Sequence, residues 1–182
     1  MILLDPALAP KTQSRSRPTS PRSTQGRGAI PWAERLPTAR TLARFLAKAQ
    51  DAVSLRGEVT VLLTTDETIR DLNKRFRGKN QATDVLSFPA QTPVRTKEKS
   101  AGDIAISVDT ALRQGAEQGH ALACELKILM LHGLLHLAGY DHETDRGRMH
   151  RRERQLRVRL GLPAGLIERA HRKPVTKRSI KP

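Results

Sequence analysis

The spacing of apolar positions changes period several times along the chain. In LPTARTLARFLAKAQDAV (36–53), Leu42, Phe45, Leu46 and Ala49 recur at helical spacing, and Thr38 or Thr41 is placed to cap the start. EVTVLLTT (58–65) is β-branched and apolar, a strand. It leads into DETIRDLNKRF (66–76), a helix with Ile69, Leu72 and Phe76 on one face. DVLSFPA (84–90) alternates as a short strand stopped by Pro89, and the polar QTPVRTKEKSAG (91–102) reads as a loop. GDIAISVDT (102–110) is a strand running into a helix, with Asp109 or Thr110 near its cap. ALACELKILMLHGLLHLAG (121–139) is a long apolar helix of the kind that sits in a core. After a turn at GYDHET, a basic helix runs from about Asp145 to Leu160. It packs through Leu156 and Leu160 and ends at Gly161 and Pro163. Strands alternating with helices around one buried helix argue for an α/β or α+β domain with one small sheet.

The flanks differ from this middle. PKTQSRSRPTSPRSTQGRGAIP (10–31) has almost nothing to bury, and the stretch after Leu166, ERAHRKPVTKRSIKP, is equally poor. The expected organisation is a disordered basic Ser/Pro/Arg-rich arm over 1–33, a folded domain over 34–166 and a basic tail over 167–182. The opening MILLDPALAP is apolar but carries Asp5 and Pro6 and no basic lead, unlike a signal peptide. No apolar run reaches the length of a membrane span.

Charge sharpens the contrast. The net charge is +15. Residues 1–40 hold seven Lys/Arg against two Asp/Glu, and residues 146–182 hold thirteen against two, whereas 41–145 hold thirteen against fourteen. The excess lies at the ends. Such ends attract polyanions, nucleic acid above all, or act as solubilising tails. Cys124 is the only cysteine, so an intrachain disulfide and a Cys-based zinc cage are both excluded, and a reducing compartment suits the chain.

Three of the six histidines fall in HGLLHLAGYDH (132–142). His132 and His136, four apart on a helix, share a face with Cβ atoms roughly 5–6 Å apart. Gly139 can take the left-handed conformation that ends the helix, so the chain can reverse and bring His142 back to the same point. Three neutral imidazoles make an open zinc site, one ion per chain, with a zinc-bound water as the nucleophile. A lone histidine on an apolar helix is ordinarily a core residue bonded to a carbonyl. Three buried imidazoles without partners would each cost about 1–3 kcal/mol, which favours the metal. Cys124, two turns before His132, reads as core packing. The spacing is also that of metzincin proteases, which need Glu directly after the first histidine. Gly133 stands there, so the peptidase base is missing. Glu125 and Glu143 lie nearby but off that position.

HGLLHLAGYDH resembles the H-G-x-L-H-L-x-G-Y-D-H signature of the YbeY family of ribosomal RNA maturation factors. LNKRFRGKNQATDVLSFP (72–89) and GDIAIS (102–107) resemble two further blocks of that family, in the same order. The resemblance spans about residues 55–160. It implies a zinc-dependent endoribonuclease specific for single-stranded RNA, acting in maturation of small-subunit ribosomal RNA and in ribosome quality control. The implied metal ligands are His132, His136 and His142. The implied partners are ribosomal RNA and the small ribosomal subunit or its assembly proteins, in the cytoplasm and away from membranes. The family's important arginine falls on Arg77. With the pattern above, the expected fold is α+β: a small mixed four-stranded sheet flanked by about five or six helices, with the metal at the end of a central helix. Asn80 stands where the family commonly has Asp, and Ala101 where a larger apolar residue is usual.

The chemistry is coherent. Arg77 can clamp a phosphate with its fork of donors, although without the resemblance a solvated surface arginine is the simpler reading. Lys79, Thr83, Asp84 and Ser87 stand beside the short strand as candidates to line the cleft, and Asp84 could equally cap a turn. Asp141 fits an orienting group behind the ligands or a turn residue. Aromatics are scarce, which argues against base stacking as the main source of RNA binding. Three classes remain open: the endoribonuclease, a non-catalytic assembly factor with structural zinc, and a zinc hydrolase of another substrate. The missing glutamate disfavours the third.

Overall fold

A computed structural model describes residues 1–8, 36–90, 100–142 and 144–163. Four strands form one sheet in the order β1-β2-β4-β3: β1 is Ile2–Leu4, β2 Glu58–Thr64, β3 Val85–Pro89 and β4 Ser100–Ser107. β1, β2 and β4 run parallel, and β3 pairs antiparallel with β4 as an edge strand. Among the described residues five α-helices accompany it: α1 Ala39–Val53, α2 Asp66–Arg77, α3 Val108–Glu117, α4 Leu122–Leu137 and α5 Arg148–Leu160, plus a 3-10 turn at Pro6–Leu8. The fold is the expected α+β arrangement with a mixed four-stranded sheet.

Strand alternation divides the sheet into two faces. Val59, Val61 and Leu63 of β2 and Ile104 and Ile106 of β4 join the buried faces of α1, α4 and α5 in the main core. On the other face Leu86 and Ala105 pack with Ile69 of α2, flanked by Leu72 and Phe88. α4 is buried almost throughout, as an all-apolar helix requires. No single helix among the described residues is long and apolar enough to cross a membrane.

Three details depart from expectation. The first eight residues do not belong to an arm that begins at residue 1: Ile2–Leu4 pairs with Val61–Leu63, where a short apolar run satisfies its backbone on the exposed edge of β2. Residues 9–35, most of the expected arm, and the expected tail lie outside the described residues. β4 begins at Ser100, within the stretch read as a loop, and Gly102 allows close passage there, with φ of +136°. The cap of α3 is Ser107, whose hydroxyl accepts from the Thr110 N–H. Asp109 reaches across to accept from the Asp66 N–H instead, and the Asp66 carboxylate accepts from Ser107 and Thr110. The starts of α2 and α3 thus cap each other at the carboxyl ends of parallel strands, a pairing that no local pattern encodes.

Candidate metal centre

α4 packs against the sheet at Gly133. A Cβ there would lie 2.9 and 3.0 Å from Ile104 carbons and 3.2 Å from Ser87 Oγ. The residue after His132 therefore faces β3 and β4, where a glutamate side chain has no room, and the absence of a peptidase base has a packing cause. With Gly133 against the sheet, His132 projects toward α5 and His136 toward the open end of the helix. The helix closes as sequence reasoning anticipates: Gly139, with φ of +86°, donates to His136 O and Tyr140 donates to Leu135 O. That reversal is a Schellman motif. It returns His142 over the helix end.

The three imidazoles meet. The ring centroids of His132 and His136 are 4.8 Å apart, those of His132 and His142 5.5 Å, and those of His136 and His142 5.3 Å. His132 Nε2 and His136 Nε2 are 3.2 Å apart, and one ring nitrogen from each histidine lies within 4.8 Å of the others. Nitrogens bound to a tetrahedral zinc at 2.0–2.1 Å stand about 3.3–3.4 Å apart, so the first pair already has ligand spacing and His142 needs only a small closing movement. Burial falls from His132 (buried) through His136 to the exposed His142, so the point they share opens toward solvent. Burial, then the neighbouring His132 and His142, push the His136 imidazole down to about 4, against an opposing pull from Asp141. A neutral imidazole with a free lone pair is what a metal requires.

A residue that sequence reasoning missed stands behind His132. Glu153 of α5 is buried, and its Oε2 lies 3.2 Å from His132 Nδ1. Burial alone would raise its carboxyl, but the hydrogen bond from His132 and the charges of His132 and Arg157 hold it at about 2. An ionised carboxylate can only accept, so His132 Nδ1 carries a proton toward it and Nε2 is the ring nitrogen turned to the shared point. Arg157 fixes Glu153 in turn: Nε and Nη2 donate to Oε1 at 2.9 and 2.5 Å, and Nη1 donates to Pro163 O at 3.0 Å. A signal existed, because Glu153 falls on the same helical stripe as Met149, Leu156 and Leu160.

The other candidates divide. Arg77 is exposed at the end of α2, and its charge is the smallest of those acting on His136. Lys79 is exposed nearby. Ser87 is buried and donates to Gly133 O at 3.3 Å, pinning α4 to the sheet rather than lining an open cleft. Asp84 accepts from Val85 N–H and Thr83 Oγ1 and, through its other oxygen, from Gln114, which shapes the turn into β3. Asp141 accepts from Thr144 Oγ1, and its main-chain carbonyl takes the N–H groups of Thr144 and Asp145, which organises the turn carrying His142. Glu125 sits buried at the opposite end of α4 against His120, about 10 Å along the axis from His132. Cys124 is half-buried beside it, and Glu143 lies outside the described residues. Behind the loop, Ala138, Gly139, Tyr140, Asp145 and Arg148 line a hollow of about 170 Å³, smaller than the usual small-molecule pocket.

The family model described as Endoribonuclease YbeY matches residues 30–161. The chain is 53% identical over 129 residues to the Endoribonuclease YbeY of Koribacter versatilis, covering 71% of this chain and 82% of the relative. It is 49% identical over 126 residues to that of Solibacter usitatus (69% and 82%) and 42% identical over 125 residues to that of Helicobacter pylori (69% and 87%). The helix that carries the paired histidines, the turn that returns the third and the arginine at the end of α2 all fall inside the matched span, and the chain belongs to the YbeY endoribonuclease family.

Proposed function

We propose that this chain is a zinc-dependent endoribonuclease that cleaves single-stranded RNA and acts, in the cytoplasm, in maturation of small-subunit ribosomal RNA and in ribosome quality control. The observation that carries the reading is the convergence of His132, His136 and His142 on one solvent-facing point, within a chain of this family. Among the described residues the cluster has three members, the donor count of open, catalytic zinc sites. Three imidazoles, one held by a buried carboxylate, suit zinc, which when bound supplies Lewis acidity beside a phosphodiester.

The protein's own groups do the rest. Arg77 holds the non-bridging oxygens of the phosphate against the histidine cluster and neutralises charge that grows during hydrolysis. Lys79, next to it, adds to the attraction of the backbone, and Thr83 and Asp84 keep the approach to β3 in shape. Glu153 keeps His132 aimed, and the Asp141 turn keeps His142 over the helix end. The basic ends supply sequence-independent attraction to RNA and to the small subunit.

A nuclease assay on the full chain tests the reading. Single-stranded RNA should be cut, the same sequence in a duplex should resist, a chelator should abolish cleavage and zinc should restore it. Cleavage unaffected by exhaustive chelation would refute the metal assignment, and equal cleavage of duplex would refute the strand preference.

A further inference from the structure

Phe76 occupies an unusual place for an aromatic residue. It is 57% exposed, the one aromatic side chain among the described residues with more than half its surface open to solvent. The pattern of α2 put it on the face of Ile69 and Leu72, yet it overhangs the edge of the sheet beyond that small core. It is nonetheless held. Its ring meets Phe88 of β3 edge to face, with centroids 5.0 Å apart, and the Arg75 guanidinium lies 5.4 Å from its centroid. Four cations, Lys74, Arg75, Arg77 and Lys79, fall within six residues of sequence around it, and none forms an ion pair among the described residues.

The strand that backs the ring approaches the metal centre at its end, because β3 packs against α4. A Cβ built on Gly102 would come within 2.4 Å of the Phe88 carbonyl oxygen and 2.9 Å of the Leu137 side chain, so the end of β3 abuts the turn of α4 that carries His136. Arg77 is the next residue after Phe76 along α2. An exposed aromatic ring with a guanidinium against it, next in sequence to the residue read as the phosphate clamp, matches one chemistry: an unpaired nucleobase attached to a polyanionic backbone.

We propose that Phe76, backed by Phe88, is a stacking platform for the base of a nucleotide next to the phosphate held at Arg77. The proposal rests on the RNA-cleaving reading above. It gives strand preference a physical origin, because a base buried in a duplex has no free face to offer. It also qualifies the argument from scarce aromatics: one ring suffices for one base.

The test uses the full chain and a short single-stranded RNA, with binding measured by anisotropy and stacking by quenching of a 2-aminopurine moved along the strand. Phe76→Ala and Phe76→Leu should each weaken binding roughly tenfold, within the range of about five- to hundredfold known for a base on an aromatic ring. Phe76→Trp should restore it. At one position along the strand, an abasic nucleotide should erase the difference between wild type and Phe76→Ala. Wild-type affinity in Phe76→Ala, or full binding by Phe76→Leu, would overturn the platform while leaving metal-dependent cleavage intact. If wild type itself neither binds nor cuts RNA, the reading beneath it fails instead.

Discussion

Replacing Glu153 by Gln keeps the shape of the side chain and removes its charge, and two separable losses should follow. The first is in folding. Glu153 and Arg157 are each 1% exposed, and the guanidinium donates twice to the carboxylate at 2.9 and 2.5 Å. Without the carboxylate the buried guanidinium loses the anion it donates to twice, and breaking such a pair costs about 3–5 kcal/mol. Against a total stability of about 5–15 kcal/mol, the variant should still fold but unfold at clearly lower urea. The second loss is in metal affinity. An amide can offer either its oxygen or its NH2 group to His132 Nδ1, so the tautomer is no longer dictated, and zinc should bind about 10–100-fold more weakly. The double variant Glu153→Gln/Arg157→Met separates the two. Replacing the guanidinium as well should recover most of the stability, since apolar replacements of buried pairs are often neutral or better. Zinc affinity should stay low. The assays are urea denaturation of the metal-free protein and zinc competition against a chelator of known affinity. Recovery of zinc affinity together with stability in the double variant would show that Glu153 serves only the fold.

The same carboxylate predicts acid sensitivity. Its value falls from 4.5 in the unfolded chain to about 2 when folded, so it contributes on the order of 3 kcal/mol above about pH 4.5, a contribution lost as pH falls toward 2; urea midpoints across that window should show it flattening in Glu153→Gln. His136→Ala should lose the metal, and elemental analysis showing equal zinc in variant and wild type would remove the site. Arg77→Lys should keep fold and zinc content but lower kcat/KM at least tenfold, because an ammonium cannot form the bidentate fork; full activity would make Arg77 a solvated surface residue. Gly133→Ala forces a methyl group against Ile104 and Ser87 and should cost about 1–3 kcal/mol, read as a Tm lower by several degrees, with an unchanged Tm contradicting the close packing of α4 on the sheet.

Much of the fold follows from local pattern. The period of α1, the apolar run of α4 and the β-branched run of β2 each state their own conformation, because burial of one face or of all faces is written in spacing. The metal cluster is equally local. Two histidines four apart and a glycine three residues later fix where the third must return, so eleven consecutive residues suffice. What the sequence did not determine are relations between distant segments. The strand at Ile2–Leu4 is too short to announce itself and exists because the edge of β2 offers it backbone partners. Ser107 takes the cap of α3 because Asp109 is drawn 43 residues away to Asp66. Glu153 and Arg157 look like a solvated pair on a basic helix, and only the packing of α5 against α4 buries them and turns the carboxylate toward His132. Phe76 reads as core by its period, and the narrowness of the sheet leaves it overhanging the edge. Periodicity reports which face of an element is apolar. It does not report what stands opposite, and burial, charge and exposure at Glu153 and Phe76 are decided by what stands opposite.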